Sequence, residues 1–255
     1  MGQYWYVTNV DKFEGYSIGK LGETFFDCAH SPARQLLTVP AVPIETGGFQ
    51  KVGTKLAGSW AGDRIVCLGD YATDWPESLR GVPNLDFANP EDEDAFIQGQ
   101  YTERCFNISE RDVAFGHNAG EAYPKNRVCV LRNLSKKEYV RSDRIPIQVG
   151  DSDLEYRQNA KVTDFPGLAF ILISRICWSS DPSISMSYDK GEELVRGIWA
   201  GDRIDFSIFE LVKSEMLTEG WKDVSRREAE HMHDLVSQDT GTKWSLPDEP
   251  EGVEV

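Results

Sequence analysis

Two copies of one hexapeptide contain the side chains best suited to chemistry in this sequence. Trp-Ala-Gly-Asp-Arg-Ile occupies residues 60–65 and recurs letter for letter at 199–204. At a usage of about 6% per residue type, such a match arises by chance in roughly one sequence of this length in a thousand. The arginine can bind a carboxylate or phosphate, and the aspartate can accept a hydroxyl proton.

These copies have two interpretations. In the functional one, two equivalent sets flank a single cleft that binds a small molecule. In the structural one, the motif is a repeated corner, because Gly-Asp before a β-branched strand is ordinary turn chemistry. The structural interpretation is the simpler one, since turns recur in sequences more often than sites do. The functional candidates are catalytic Asp63 and Asp202 and ligand-binding Trp60, Arg64, Trp199 and Arg203.

A second candidate cluster follows the apolar run 168–178. Cys177, Ser179 and Asp181 could serve as nucleophile, hydrogen-bond donor and base at a strand end. A nucleophile needs an activating base, and His117 in a polar loop is the best-placed histidine. The alternative, a buried thiol followed by an Asp-Pro turn, is the more common arrangement.

Residues 125–144 form a basic segment in an acidic chain. The segment contains seven basic and two acidic residues, whereas the whole chain has 27 basic and 42 acidic residues and a net charge of −15. The segment could bind a phosphate-bearing ligand or RNA, or it could be an edge hairpin protected from aggregation. The chain's overall charge disfavours nucleic acid and anionic membranes as partners.

The sequence offers little support for a metal or cofactor site. Glu228 and His231 share a helix face, but His231 and His233 point about 200° apart and cannot close on one ion. We therefore predict no metal site. GxGxxG, GxSxG and HExxH patterns are absent from the sequence, and the cofactor, if any, stays unspecified.

The elements that position these residues are mostly strands. Leu168–Trp178 is predicted to be the central strand, covered on both faces. A capping box at Ser225 and Glu228 predicts a helix to about residue 236. The other predictions are strands at 3–9, 64–68 and 203–209, a hairpin of 127–132 with 138–145, and a short helix at 31–37. The fold class is α+β, with a mainly antiparallel β-sheet core, a few peripheral helices and an internal duplication of a β-turn and strand unit.

Composition places the chain among folded intracellular proteins. It has 255 residues, 40% of them hydrophobic and 11% aromatic, and its five cysteines are scattered in apolar surroundings as reduced core thiols are. We predict one globular domain at 1–245 and a disordered acidic tail at 246–255. No secretory signal or membrane-spanning run is recognisable, so a cytoplasmic location is expected, and the oligomeric state stays open.

Several separated blocks carry a resemblance to a known family. They are MGQYW at the start, WAGDRIVCLGDY at 60–71, VLRNLSKKEYVR at 130–141, RICWSSDPS at 175–183, RGIWAGDRIDF at 196–206 and GWKDVS at 220–225. With these blocks the chain resembles a family of uncharacterised fungal proteins, frequent in mushrooms. The resemblance implies a fungal, intracellular setting and makes both hexapeptides family features, but it implies no activity.

Three functional hypotheses follow. The first is an enzyme acting on a small polar or anionic metabolite in a cleft between the two hexapeptides, with residues 177–181 beside it. The second is a non-catalytic module that binds a glycan, peptide or metabolite through exposed Trp60 and Trp199 and their aspartate and arginine partners. The third is an RNA-linked activity of the basic segment.

Overall fold

The protein is described by a computed structural model. It describes residues 2–21, 32–39, 58–85, 96–108, 127–145, 147–148, 166–183, 194–239 and 244–245. The candidate base His117 and the predicted tail at 246–255 lie outside the described residues. The domain prediction for 1–245 stays a prediction.

The first half of the chain forms a five-stranded sheet. In spatial order its strands are β4 (Phe106–Asn107), β2 (Glu14–Lys20), β1 (Tyr4–Asn9), β3 (Ile65–Gly69) and β8 (Cys177–Trp178), of which β8 comes from the second half. β1 pairs antiparallel with β2 and β3, while β4 and β8 are short parallel additions at the two edges. The elements of this half are β1 (Tyr4–Asn9), β2 (Glu14–Lys20), α1 (Pro32–Leu37), β3 (Ile65–Gly69), α2 (Ile97–Arg104) and β4 (Phe106–Asn107).

The second half repeats this order of elements. Its sheet runs β10-β6-β5-β9, with β5 antiparallel to β6 and β9 and with β10 parallel to β6. Thr38 of the first half bridges in parallel to Phe206 of β9, as β8 pairs with β3. The elements are β5 (Cys129–Asn133), β6 (Glu138–Arg141), α3 (Pro166–Ile176), β8 (Cys177–Trp178), β9 (Ile204–Ile208), α4 (Phe209–Thr218) and β10 (Lys222–Asp223).

Each four-stranded core, with its two helices, therefore has a counterpart in the other half, and each half adds an extended segment to the other's sheet. Three further elements have no counterpart among the described residues of the first half. β7 (Ile147–Gln148) and β11 (Trp244–Ser245) form a two-stranded sheet, and α5 (Ser225–Asp239) packs near β6.

The predicted central strand Leu168–Trp178 is wrong. Residues 166–176 form α3, and only Cys177 and Trp178 are extended. α3 lies in the core, where every residue from Leu168 to Ile176 is buried. A helix buried on all sides is as apolar as a strand covered on both faces, so apolarity alone does not separate them.

The other main elements agree with the sequence. The strands at 3–9, 64–68 and 203–209, the hairpin, the helix at 31–37 and the helix after Ser225 are all present. The capping box is not: the Ser225 hydroxyl accepts the N–H of Arg141 at 2.9 Å, and Glu228 binds Arg175 and Arg227 instead. The fold is α+β, with sheets that are mixed rather than purely antiparallel. Among the described residues, no helix is long and apolar enough to span a bilayer.

Candidate functional site

The two hexapeptide turns pack directly against each other. Gly62 donates its N–H to the carbonyl of Ile204 at 2.9 Å, and Gly201 donates to Ile65 at the same distance. Ile65 and Ile204 donate in turn to the other copy's aspartate carbonyl. These reciprocal bonds place a pseudo-two-fold axis between the copies. The turns are adjacent, but they join each other instead of lining a cleft.

The two tryptophans are buried, which is a correction to the binding-module hypothesis. Trp60 and Trp199 are 0% exposed, so neither ring can stack on a ligand. Each indole N–H donates to a glutamate at the start of the returning hairpin strand: Trp60 to Glu14 at 2.6 Å and Trp199 to Glu138 at 3.1 Å. The tryptophans are therefore core residues that anchor each hairpin to its turn.

The hexapeptide aspartates are held by the hairpin loops. Asp63 accepts the side-chain N–H of Asn9 at 2.8 Å and lies 2.7 Å from the ammonium of Lys12. Asp202 accepts from Asn133 at 2.8 Å and lies 3.0 Å from Lys136. Each carboxylate thus ties a turn to a loop. These hydrogen bonds and ion pairs do not favour the predicted catalytic role of Asp63 and Asp202.

The hexapeptide arginines meet at the axis. Arg64 and Arg203 form an isolated antiparallel bridge, so their side chains leave the same face. Both guanidinium groups donate to the carboxylate of Asp11, Arg64 at 2.6 Å and Arg203 at 2.9 Å. Of the hexapeptide candidates, these two arginines are the ones whose side chains reach solvent while converging on one point.

The second predicted cluster lies at the ends of the parallel strands β3 and β8. Cys177 is fully buried and pairs in register with Cys67, a position that does not favour a nucleophile. Ser179 is also buried, and its hydroxyl donates to the Gln3 side-chain oxygen at 2.6 Å. Gln3 Nε2 donates to the carbonyl of Asp181 at 2.5 Å, which fixes the backbone there.

Two aspartates at this edge have oppositely shifted pKa values. Burial raises the pKa of Asp70 above its ordinary 3.8, and the neighbouring charge of Asp181 raises it further. The hydroxyl and N–H of Ser183 lower the pKa of Asp181. One Asp70 oxygen, Oδ1, is buried and has no hydrogen-bond partner in the described structure. We call Gln3, Asp70, Ser179 and Asp181 the strand-end cluster.

A polar rim adjoins the strand-end cluster. Thr73 and Ser180 share a hydroxyl hydrogen bond of 2.6 Å. Arg196 donates to Asp74 at 3.0 Å and stacks 4.3 Å from the ring centroid of Trp178. These contacts hold the loop after β3 against the segment after β8.

The basic segment is largely neutralised. Five of its cations are in ion pairs with carboxylates: Arg132, Lys136, Lys137, Arg141 and Arg144. Arg127 is exposed, and Lys125 lies outside the described residues. This distribution does not favour an RNA-binding face. Among the described residues, no group of three or more histidine, cysteine or acidic side chains is arranged to hold a metal ion.

Sequence reasoning missed three residues that matter here: Gln3, Asp11 and Asp70. Asp70 follows Gly69 at the end of a predicted strand, so its position was a usable signal. Gln3 and Asp11 gain their roles only from partners far away in the chain, Ser179 and Arg203 respectively, and no local pattern marks them.

Comparison with known proteins gives no match. No protein-family model matches the chain, and no curated protein or solved structure matches it.

Proposed function

We propose that the protein is an enzyme whose acid–base pair is Asp70 and Asp181, acting on a small polar metabolite at the strand-end cluster. The observation that carries this proposal is a pair of carboxylates that follow two neighbouring parallel strands and have pKa values shifted in opposite directions. Such pairs divide the roles of acid and base, because one holds its proton to higher pH than the other. Asp70 is the general acid and Asp181 the general base.

The position of the pair supports the same reading. Asp70 and Asp181 follow neighbouring parallel strands, and the carboxyl ends of parallel strands are where ligands bind in open sheets. Gln3 and Ser179 are buried and hydrogen-bonded to each other, and Gln3 also holds the backbone carbonyl of Asp181. The unpartnered oxygen of Asp70 is a group that a substrate hydroxyl or amine could satisfy.

Charge and exposed aromatics narrow the substrate class. The only positive side chain in the cluster's polar rim, as far as the structure describes it, is Arg196, which is paired with Asp74. The carboxylate of Asp181, which keeps its charge to low pH, therefore disfavours an anionic substrate. Tyr71, directly after Asp70 in the chain, is 38% exposed, and such a ring can stack on the C–H face of a sugar. The ring of Tyr4 lies under the ammonium of Lys20, 5.7 Å from its centroid. A neutral polyhydroxylated substrate fits this surface best.

The test is substrate conversion by matched variants. The native protein, Asp70→Asn and Asp181→Asn are incubated with a set of neutral sugars, glycosides and polyols, and products are followed by mass spectrometry. Removing an acid or base lowers turnover by about 10²–10⁴-fold. Asp143→Asn is the control, since that exposed aspartate pairs with Arg141 elsewhere. Conversion of no compound by the native protein, or equal conversion by all four proteins, would contradict the proposal.

A further inference from the structure

We infer that Arg64 and Arg203 form a second site, which binds the oxyanion of a small metabolite. The site is distinct from the strand-end cluster. Arg64 immediately precedes β3 and Asp70 immediately follows it, so the two lie about 20 Å apart at the rise of an extended chain. The inference stands or falls independently of the proposed enzyme.

The geometry brings two positive charges together. Residues opposed in an antiparallel bridge have Cβ atoms about 5 Å apart on one face, and like charges placed there repel each other. Asp11 is the acid between them: its two oxygens each accept one arginine Nη1. One carboxylate thus serves two guanidinium groups, which leaves a net positive charge.

Donor capacity remains on both arginines. A guanidinium has five N–H groups. Nη1 of Arg64 donates to Asp11, and Nη1 of Arg203 donates to Asp11 and to the carbonyl of Gly62 at 2.9 Å. In the described structure their Nε and Nη2 groups have no protein acceptor. The two side chains are 30% and 41% exposed, so an anion from solvent can reach them.

The difference between the two halves shows where the anion belongs. The N–H of Arg64 donates to the side chain of Asp11 at 3.0 Å, and the N–H of Arg203 donates to the hydroxyl of Ser135 at 2.9 Å. Asp11 and Ser135 are therefore equivalent positions, of which only one carries a charge. The carboxylate of Asp11 is an acceptor for the arginines, and the equivalent place beside Ser135 has no such acceptor. A ligand oxyanion bound there would take that place.

The surroundings favour a small anion over a polyanion. The neighbouring lysines, Lys12 and Lys136, are paired with Asp63 and Asp202, so the local excess is about one positive charge. The chain as a whole carries −15 and repels a nucleic acid or an anionic membrane at long range. Arginine forks match both phosphate and carboxylate, and this shared chemistry defines the ligand class.

The experiment is calorimetric titration of the full chain with sodium phosphate and with sodium acetate, at low and constant ionic strength adjusted with chloride. We expect saturable binding of at least one of the two anions, and the tighter one identifies the ligand group. Arg203→Gln should weaken binding about tenfold or more, because a charge-assisted hydrogen bond is lost. Arg141→Gln, which removes an arginine paired with Asp143, is the matched control and should bind as the native protein does.

Two exchanges between the halves make the test sharper. Ser135→Asp fills the vacant acceptor position with a carboxylate and should abolish binding, while Asp11→Ser removes the internal competitor and should tighten binding at least about fivefold. Both positions lie in hairpin turns, so we expect the variants to fold. Circular dichroism of each variant checks this. The inference is overturned if neither anion binds saturably to the native protein or to Asp11→Ser, or if Ser135→Asp binds as tightly as the native protein.

Discussion

The two halves of the molecule use the same residues to hold a hairpin against a turn. In each, an asparagine binds the hexapeptide aspartate, a lysine three residues later pairs with that aspartate, and a glutamate accepts the tryptophan N–H. In each, the lysine also donates to the backbone carbonyl of the residue directly before the tryptophan, Ser59 or Ile198. Contacts kept in both halves are those that the fold requires.

Outside these contacts the halves differ at most equivalent positions of their strands, and several of the differences involve charge. Thr8 and Val66 of the first sheet correspond to Arg132 and Asp205 of the second, and Asp11 corresponds to Ser135. Asp70, directly after β3, corresponds to Phe209, directly after β9. The hexapeptide is therefore mainly architectural, while differences between the halves at turns and strand ends mark the candidate sites.

The largest expected effect comes from the ion pair that only the second half contains. Arg132 and Asp205 are both buried and are joined by two hydrogen bonds of 2.8 and 2.7 Å. Arg132→Ala leaves Asp205 charged and buried, so we expect a loss of about 3–5 kcal/mol in the free energy of unfolding. Urea denaturation measures it.

Replacing both members of the ion pair with the residues of the first half separates two quantities. One is the pair's net contribution to stability, and the other is the cost of leaving one charge buried without its partner. The double variant Arg132→Thr with Asp205→Val should lose much less than Arg132→Ala, because no charge is left buried. Equal losses in the two proteins would show that Arg132 stabilises the fold mainly through its packing, including its contact 5.4 Å from the ring centroid of Trp221.

The next largest loss of stability is expected for the asparagine that binds the hexapeptide aspartate in each half. Asn9→Ala and Asn133→Ala each remove a hydrogen bond to a carboxylate, so each should lower the free energy of unfolding by about 1–3 kcal/mol. If the halves are equivalent, the two losses should agree within about 0.5 kcal/mol. A large difference, measured by urea denaturation, would show that one turn carries more of the fold than the other.

A smaller effect of opposite sign is expected at Asp70. Because its pKa is raised in the folded state, the native protein holds that proton more tightly than the unfolded chain, and stability falls as pH rises from about 3.8 through the folded pKa. Asp70→Asn should therefore raise the melting temperature at pH 7 and have little effect below pH 3.8. A residue that lowers stability where it is charged is typical of an active site. Destabilisation at pH 7 would indicate a structural role instead.

The smallest effects are expected for the loop lysines. Lys12 and Lys136 are 41% and 43% exposed, and ion pairs at such positions contribute about 0–1 kcal/mol. Lys12→Met and Lys136→Met should each lose no more than this, and the loss should shrink in 0.5 M salt. A loss above 2 kcal/mol that is independent of salt would show that the backbone contacts to Ser59 and Ile198 dominate.

Much of the fold was predictable because it depends on local patterns. Alternating residues identify the strand at 203–209, and the four-residue turn after Asn133 identifies the hairpin. α3 was not predictable from apolarity, although Pro166 at its first position is a helix-start signal and eleven residues are long for a strand. Both faces of β9 are buried, so Asp205 and Ser207 lie inside the protein instead of facing solvent.

The candidate sites were only partly predictable. Ser179 and Asp181 were identified because they follow an apolar run, and Arg64 and Arg203 because their hexapeptide is repeated. Asp70 becomes significant because burial and the charge of Asp181, a residue distant in the chain, raise its pKa, and the sequence shows neither effect. The predicted exposure of the hexapeptide tryptophans is wrong, because a lone sequence does not show that Glu14 and Glu138 accept their N–H groups inside the protein.

The most direct test of the acid–base pair is a carbon-13 NMR titration of the aspartate carboxyl groups, with Asp70 and Asp181 assigned by their asparagine variants. The pair predicts that Asp70 titrates above 3.8 and Asp181 below it, and that Asp181→Asn lowers the pKa of Asp70 by removing a neighbouring charge. Titration of Asp70 at or below the pKa of Asp181, unchanged in Asp181→Asn, would contradict the proposed enzyme.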